Sequence, residues 1–195
     1  MKVNDIDAFP TLVQTVENFL TEEQCEEIKK YFLEKSNPAS HELLTNGGVS
    51  NYHIDSDFLK EISNNVYTCE NLKTAVEWHL NEYSYKTGIL HLKIDRSWAN
   101  YQPEGSKLKE HTHPGSFITG VLYISVPMAT PLILSNPNPF IKFTPIVGAS
   151  KYTEEKIEIQ PKLGMMVLFP SWILHSTDIS YSKERIVISF NSGLR

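Results

Sequence analysis

The sequence predicts a mainly β protein in which N-terminal helices support an antiparallel β-sandwich or barrel. Apolar residues recur at helical spacing before about residue 88 and with a period of two after it. The later strands follow one another closely, separated by Pro, Gly, Asn or Ser, which argues against alternating βαβ units. We expect one domain over residues 1–195, with 1–87 as mostly helical support and 88–195 as the β core.

The composition excludes several classes of protein. Of 195 residues, 41% are hydrophobic, which is enough for a core. The 18 basic and 23 acidic residues give a net charge of −5, so we expect no nucleic-acid partner. No apolar run approaches the roughly 18 residues that span a bilayer, and the N-terminus lacks a secretory signal. Two cysteines are too few for a disulfide framework or a structural zinc cluster. We therefore expect a soluble cytoplasmic protein with no membrane partner.

The N-terminal half contains two predicted helical zones. The first begins after Thr21, a capping residue, and ends before 37–38, an Asn-Pro pair. The second covers about 57–84, with one break expected near Asn65. Between the two zones, 45–48 reads as a turn or a mobile loop.

The second half contains six predicted strands with two unlike faces. In the strand over 116–126, Ile124 and Val126 are assigned to the core face, and Tyr123 to the opposite face. In the last strand, Arg185 shares a face with polar side chains, which a barrel with a polar-lined cavity would explain. The predicted strands are 91–94, 116–126, 131–135, 156–159, 164–169 and 185–191.

Three of the seven histidines form a candidate metal site. His111 and His113 are two apart on an extended segment, so their imidazoles point to the same side. His175 follows the strand over 164–169 and could supply a third imidazole. Imidazole nitrogens suit zinc, copper, iron and nickel. We expect structural or solvated roles for the other histidines, which are His41, His53, His79 and His91.

Arg185 is a second candidate functional residue. An arginine that faces a barrel interior needs an anionic partner, because an unpaired buried guanidinium is very costly. The partner is either an internal carboxylate, from Asp178 or Glu184, or a small carboxylate ligand held by the bidentate guanidinium. Both explanations stay open from the residues alone.

The order of these motifs resembles the Fe(II)- and 2-oxoglutarate-dependent dioxygenases, and most closely a bacterial and phage group of such oxygenases. The matching stretches are Trp98 with Asn100, HTHPGSFITGVLYIS, FPSWILH and ERIVISFN. The N-terminal PTLVQTVENFLTEEQCEEI resembles the strand and helix that begin prolyl-hydroxylase-like members. The resemblance implies a double-stranded β-helix, a cupin-like jelly roll, that uses Fe(II), 2-oxoglutarate and O2.

The resemblance also implies roles for individual residues. His111 matches the first iron-binding histidine and His175 the distal one. Arg185 matches the basic residue that holds the far carboxylate of 2-oxoglutarate, and Tyr123 occupies the position of an assisting hydroxyl. The further candidates for cosubstrate binding are Asn100 and Tyr101.

The sequence departs from the family pattern at two positions. His113 stands where the family has the carboxylate of its H-x-D/E motif, and we predict that His113 is the third metal ligand. The rival is a site completed by water or Asp178. Val187 stands two residues after the arginine, where a hydroxylated residue is frequent, which leaves more of the carboxylate recognition to Arg185 and Tyr123.

The implied function is hydroxylation of a C–H bond, coupled to conversion of 2-oxoglutarate to succinate and CO2. By analogy we expect a peptidyl side chain such as proline as the substrate, with a small molecule and a homo-oligomer left open. The alternatives are a three-histidine zinc hydrolase or cupin-type oxygenase that does not use 2-oxoglutarate, and a non-catalytic jelly-roll binding module. The proline-rich stretch 135–155 is either a lid or a plain hairpin excursion.

Overall fold

Two antiparallel sheets and three helices make up the fold. The structure is a computed structural model that describes residues 2–5, 7–49, 56–89, 91–128, 130–143, 148 and 150–194. The helices are α1 (Glu22–Lys35), α2 (Phe58–Asn65) and α3 (Leu72–Thr87). The strands are β1 (Gln14–Val16), β2 (Gly48–Val49), β3 (Leu92–Gln102), β4 (Ile118–Ser125), β5 (Leu132–Ser135), β6 (Lys156–Ile159), β7 (Met166–Pro170), β8 (His175–Thr177) and β9 (Arg185–Leu194).

The two sheets face each other as a sandwich. The large sheet has the order β1-β7-β4-β9-β3-β2 and the small sheet the order β6-β5-β8, and every pairing is antiparallel. An apolar layer joins them, with Tyr123 and Val187 from the large sheet packed among Leu132 and Leu134 from the small one. This architecture is the double-stranded β-helix that the resemblance implies.

The helices cover the other face of the large sheet. Apolar side chains of α1, such as Ile28 and Phe32, pack in one core with Leu122 and Ile188 of the sheet. This arrangement leaves the inner face of the large sheet available for a polar cavity. Among the described residues, the helices are too short or too polar to cross a membrane.

The predicted helix boundaries agree closely with the structure. Thr21 caps α1 in a capping box, because its hydroxyl accepts from the Gln24 N–H at 3.2 Å while the Gln24 side chain accepts from the Thr21 N–H at 3.0 Å. The second helical zone divides at the expected place, with a single 3₁₀ turn over Tyr67–Cys69 between α2 and α3.

Two strands differ from the prediction because of β-bulges. The predicted strand over 91–94 continues to Gln102, after a register shift beside Asp95 that interrupts the alternation of side chains. A second bulge follows Tyr123 in β4 and moves Val126 into the layer between the sheets. The assignment of Val126 to the helix-facing core is therefore wrong, since a bulge reverses the faces of all residues beyond it.

The predicted turn over 45–48 is also more ordered than expected. Its last residue, Gly48, begins β2 and pairs with Tyr101 of β3. Leu44 forms an isolated bridge to Leu108. These contacts attach the connection between α1 and α2 to the rim of the sandwich, next to the histidine motif.

Candidate metal centre

His111 and His175 meet on neighbouring extended segments. The N–H of each donates to the C=O of the other at 3.0 Å, in an antiparallel bridge. Residues paired in this way project their side chains from the same face of a sheet, and the two ring centroids lie 4.2 Å apart. The segment before His111 thus runs alongside β8, and His175 begins that strand rather than ending β7.

His113 completes the cluster, as its two-residue spacing from His111 predicts. Its N–H donates to the Ser171 C=O at 2.9 Å, which fixes the backbone after the first histidine. Its Nε2 lies 3.2 Å from Nε2 of His175, and one ligating atom from each of the three histidines lies within 4.8 Å of the others. Two nitrogens bound at about 2.1 Å to one ion stand about 3 Å apart, so this spacing suits a shared metal.

Backbone carbonyls orient two of the three rings. Nδ1 of His111 lies 2.8 Å from the Lys109 C=O, and Nδ1 of His175 lies 2.9 Å from the Ile173 C=O. Because a carbonyl oxygen can only accept, each Nδ1 carries the hydrogen and each Nε2 keeps its lone pair. This tautomer is the one in which Nε2 can bind a metal.

The electrostatic setting keeps the three imidazoles neutral. Burial, with a smaller contribution from the neighbouring imidazoles, lowers the pKa of His113 to about 3. The same two causes lower the pKa of His175 to about 4, and burial also lowers the pKa of His111. Neutral rings are the form that binds metal, so no proton has to leave at neutral pH.

A cavity of about 380 Å³ connects the three histidines to Arg185. The guanidinium is buried, donates from Nη1 to Oε1 of Gln102, and has Cζ 5.7 Å from the Tyr123 ring centroid. Among the described residues, no carboxylate forms an ion pair with Arg185. The cation therefore lies in the cavity beside neutral partners.

The two carboxylates considered as partners of Arg185 are engaged elsewhere. Glu184 pairs with Nζ of Lys29 at 2.8 Å, and Oδ1 of Asp178 accepts from the Ile179 N–H at 2.8 Å. Asp178 is likewise outside the histidine cluster. Neither of the two carboxylates therefore pairs with Arg185, and the explanation by Asp178 or Glu184 is not supported by the structure.

Three buried polar atoms around Arg185 have no hydrogen-bond partner within the described part of the chain. They are Nε of Arg185, the hydroxyl of Tyr123 and Nε2 of Gln102. Burial raises the pKa of Tyr123 to about 12, so its hydroxyl keeps its hydrogen and can donate. Each unsatisfied buried donor costs about 1–3 kcal/mol, and an acceptor-rich group is what such donors lack.

The two further cosubstrate candidates lie on opposite faces of β3. Asn100 lines the cavity, and its Nδ2 donates to Oγ of Ser189 at 2.9 Å. Tyr101 points to the helix side, where its ring stacks on Phe32 with centroids 6.4 Å apart. Because side chains alternate along a strand, this placement argues against a cosubstrate role for Tyr101. Gln102, which has the same parity as Asn100, was missed because the predicted strand ended at 94.

Three other histidines of the described residues, His41, His79 and His91, lie outside the metal-ligating cluster. His41 lines the cavity and accepts from the Leu43 N–H at 3.2 Å. His79 packs edge-on against Phe19, and His91 is exposed just before β3. His53 lies outside the described residues.

The stretch 135–155 connects β5 to β6, which pair as a hairpin. Residues 144–147 and 149 of this connection lie outside the described part of the chain. A hairpin is thus present, and a role for this connection as a lid stays a prediction.

Comparison with known proteins agrees with this architecture. A family model described as "Putative 2OG-Fe(II) oxygenase" matches residues 96–191. A prolyl-4-hydroxylase from Pseudomonas putida is 15% identical, with a TM-score of 0.63 over 95% of this chain and 94% of that chain. HygX from Streptomyces hygroscopicus, solved with nickel and 2-oxoglutarate bound, is 11% identical, with a TM-score of 0.65 over 94% of this chain and 83% of its own.

A viral structure is similar in the same way. The collagen prolyl hydroxylase vCPH from Paramecium Bursaria Chlorella virus-1 is 14% identical, with a TM-score of 0.56 over 94% of this chain and 96% of its own. A search of curated protein sequences gives no match. The structural likenesses confirm the double-stranded β-helix.

Proposed function

We propose that this chain, whose residues 96–191 belong to the 2OG-Fe(II) oxygenase family, binds Fe(II) through Nε2 of His111, His113 and His175. The chain is a 2-oxoglutarate-dependent oxygenase, and we assign the far carboxylate of 2-oxoglutarate to Arg185. One observation carries the assignment: a single cavity contains both the converging imidazoles and a buried guanidinium without an anionic partner.

The residues present fit the expected metal and cosubstrate. Imidazole is a ligand that iron accepts, and the three rings are neutral with two Nε2 lone pairs fixed by carbonyl contacts. The unpaired donors near Arg185 fit a carboxylate. When bound, iron together with 2-oxoglutarate and O2 supplies the oxidising power for hydroxylation, with succinate and CO2 as the other products.

A three-histidine site differs in charge from one that contains a carboxylate ligand. Three neutral imidazoles leave the ion with its full 2+ charge, and Arg185 adds a further positive charge to the same cavity. An anionic cosubstrate therefore supplies the neutralisation that a carboxylate ligand would otherwise give. Metal and 2-oxoglutarate should each tighten the binding of the other by the same factor.

One part of the cavity wall next to His113 is apolar and supports an uncharged substrate group, although Asp95 and Arg96 also line the cavity. Trp98 packs with Leu44 and Val49 in a small apolar cluster on this wall, and its ring centroid is 5.9 Å from that of His113. An aliphatic ring could lie against the indole without burying a charge. We propose a peptidyl side chain such as proline as the substrate, a choice that the two prolyl hydroxylases of similar fold also support.

The alternative functions account for only part of the cavity. A zinc hydrolase would use the three histidines but would leave Arg185 and the unpaired donors beside it without a task. A binding module without metal would hold three imidazoles side by side, one buried and two half-buried, with no ion to share. A 2-oxoglutarate oxygenase would use both the histidine cluster and the donors around Arg185.

The test is an assay of purified protein with Fe(II), ascorbate and 2-oxoglutarate, in which succinate is measured with and without proline-containing peptides. We expect succinate formation that depends on both Fe(II) and 2-oxoglutarate and that rises when a substrate peptide is added. Mass spectrometry should then detect a gain of one oxygen atom on the peptide. Peptides in which alanine replaces proline are the control for the substrate assignment.

A further inference from the structure

We propose that Gln102 binds the far carboxylate of 2-oxoglutarate directly and also orients Arg185 for the same carboxylate. This inference rests on the proposed function, since it presumes that 2-oxoglutarate occupies the cavity. Val187 stands where a hydroxylated residue is frequent in the family, and it offers no hydroxyl. We assign the missing hydrogen-bond donor to the side-chain amide of Gln102.

Gln102 lies at the right place in the sheet for this role. It is the last residue of β3 and pairs directly with Arg185, the first residue of β9. Its side chain is 1% exposed and lines the same cavity as the three histidines. The bulge at Asp95 sets the parity that turns Asn100 and Gln102 inwards.

The chemistry of the contact fixes the orientation of the amide. Every guanidinium nitrogen can only donate, so the atom that Gln102 presents to Nη1 of Arg185 must be its carbonyl oxygen. The amide nitrogen is then the other terminal atom, and it is buried without a partner. One side chain therefore both accepts from Arg185 and keeps a donor for a ligand.

A neutral partner also preserves the charge of the site. A glutamate in this position would neutralise Arg185 and compete with an incoming carboxylate, whereas an amide orients the guanidinium and leaves its charge uncompensated. Val187 pairs with Tyr123 on one side and with Asn100 on the other, and it contributes only methyl groups to the cavity. Gln102, Arg185 and Tyr123 thus provide the donors for the anion.

The test is a thermodynamic cycle between two proteins and two ligands. Wild type and Gln102→Leu are loaded with Mn(II) in place of Fe(II), and calorimetry gives the affinity of each for 2-oxoglutarate and for 2-oxopentanoate. The second ligand carries a methyl group where 2-oxoglutarate carries its far carboxylate. We expect Gln102→Leu to weaken 2-oxoglutarate binding about ten- to a hundredfold, and to change 2-oxopentanoate binding by less than about twofold.

A matched control is Tyr101→Phe, which alters the neighbouring residue on the opposite face and should leave both affinities unchanged. Equal weakening of both ligands in Gln102→Leu, or unchanged binding of both, would overturn the role of Gln102. Failure of wild type to prefer 2-oxoglutarate over 2-oxopentanoate would instead overturn the proposed function.

A second variant covers the case in which Gln102→Leu does not fold. Gln102→Glu keeps an acceptor for Arg185 but replaces the donor with a negative charge. We expect it to bind Mn(II) like wild type and to lose 2-oxoglutarate affinity more than a hundredfold. Binding of 2-oxoglutarate at wild-type strength in Gln102→Glu would overturn the proposal.

Discussion

His111 and His175 face each other across a two-way backbone hydrogen-bonded bridge, with both N–H···O distances at 3.0 Å. The main chain therefore fixes the separation of two imidazoles before any ion binds. Each ring is also fixed by a carbonyl two residues earlier in the chain. A metal entering this site has little ordering entropy to overcome, since two of its ligands are held by the sheet.

The first prediction concerns this pair. His175→Ala should lower metal affinity by at least about a hundredfold, because even the loss of a group that supports a ligand costs 10–100-fold. The measurement is metal content after dialysis against nickel or zinc, which bind such sites more tightly than ferrous iron. His91→Ala is the control, since this exposed histidine lies outside the cluster. Wild-type metal content in His175→Ala would contradict the assignment.

The second prediction tests whether His113 binds the metal directly or only lies next to the metal site. His113→Ala should lose metal with the fold intact, whereas unchanged metal content and activity would remove His113 from the ligand set. His113→Asp should retain metal but weaken the mutual enhancement between metal and 2-oxoglutarate, because a carboxylate supplies the charge that the cosubstrate otherwise supplies. Metal content and 2-oxoglutarate affinity should be measured on the same samples.

The pairing of His111 with His113 could be predicted from the sequence because its geometry is local, whereas the approach of His175 depends on a bridge between distant segments. Two residues at i and i+2 share a side in any extended segment, whatever the rest of the fold does. The environment of Arg185 could not be predicted in the same way. Its partner Gln102 faces the cavity only because β3 continues past a bulge at Asp95 along β9.

The error in the face assigned to Val126 has a similar origin. Val126 lies beyond a bulge in β4, at which one extra residue exchanges the two faces of the strand. A bulge depends on pairing with a distant strand, and the residues around it carry no strong local signal.

The third prediction tests how much burying Arg185 without an anionic partner costs in folding free energy, and how much that residue contributes to 2-oxoglutarate binding. Arg185→Met should weaken 2-oxoglutarate binding by about 2–5 kcal/mol, because the ligand carboxylate would be buried without its charged partner. The same substitution should leave the free energy of unfolding of the ligand-free protein unchanged or higher, since it removes a buried charge that has no anionic partner. Calorimetry and urea unfolding give the two quantities. A stability loss matching the affinity loss would mean that Arg185 serves the fold.

The last prediction concerns a glycine that the large sheet requires. Gly120 of β4 pairs with Phe190 of β9, and a Cβ built on Gly120 would lie 2.1 Å from Cζ of that ring. Phe190 is fully buried in the core beneath the helices, so its ring has little room to move aside. Gly120→Ala should therefore lower the free energy of unfolding by about 1–3 kcal/mol, the usual cost of overpacking. Gly148→Ala is the matched control, because its Cβ would meet nothing within 4 Å.

If the clash with Phe190 is the cause, the double variant Gly120→Ala/Phe190→Leu should lose less stability than the two single changes added together. Urea unfolding of wild type, the two single variants and the double variant would reveal this. Strict additivity would place the effect of Gly120 elsewhere in β4.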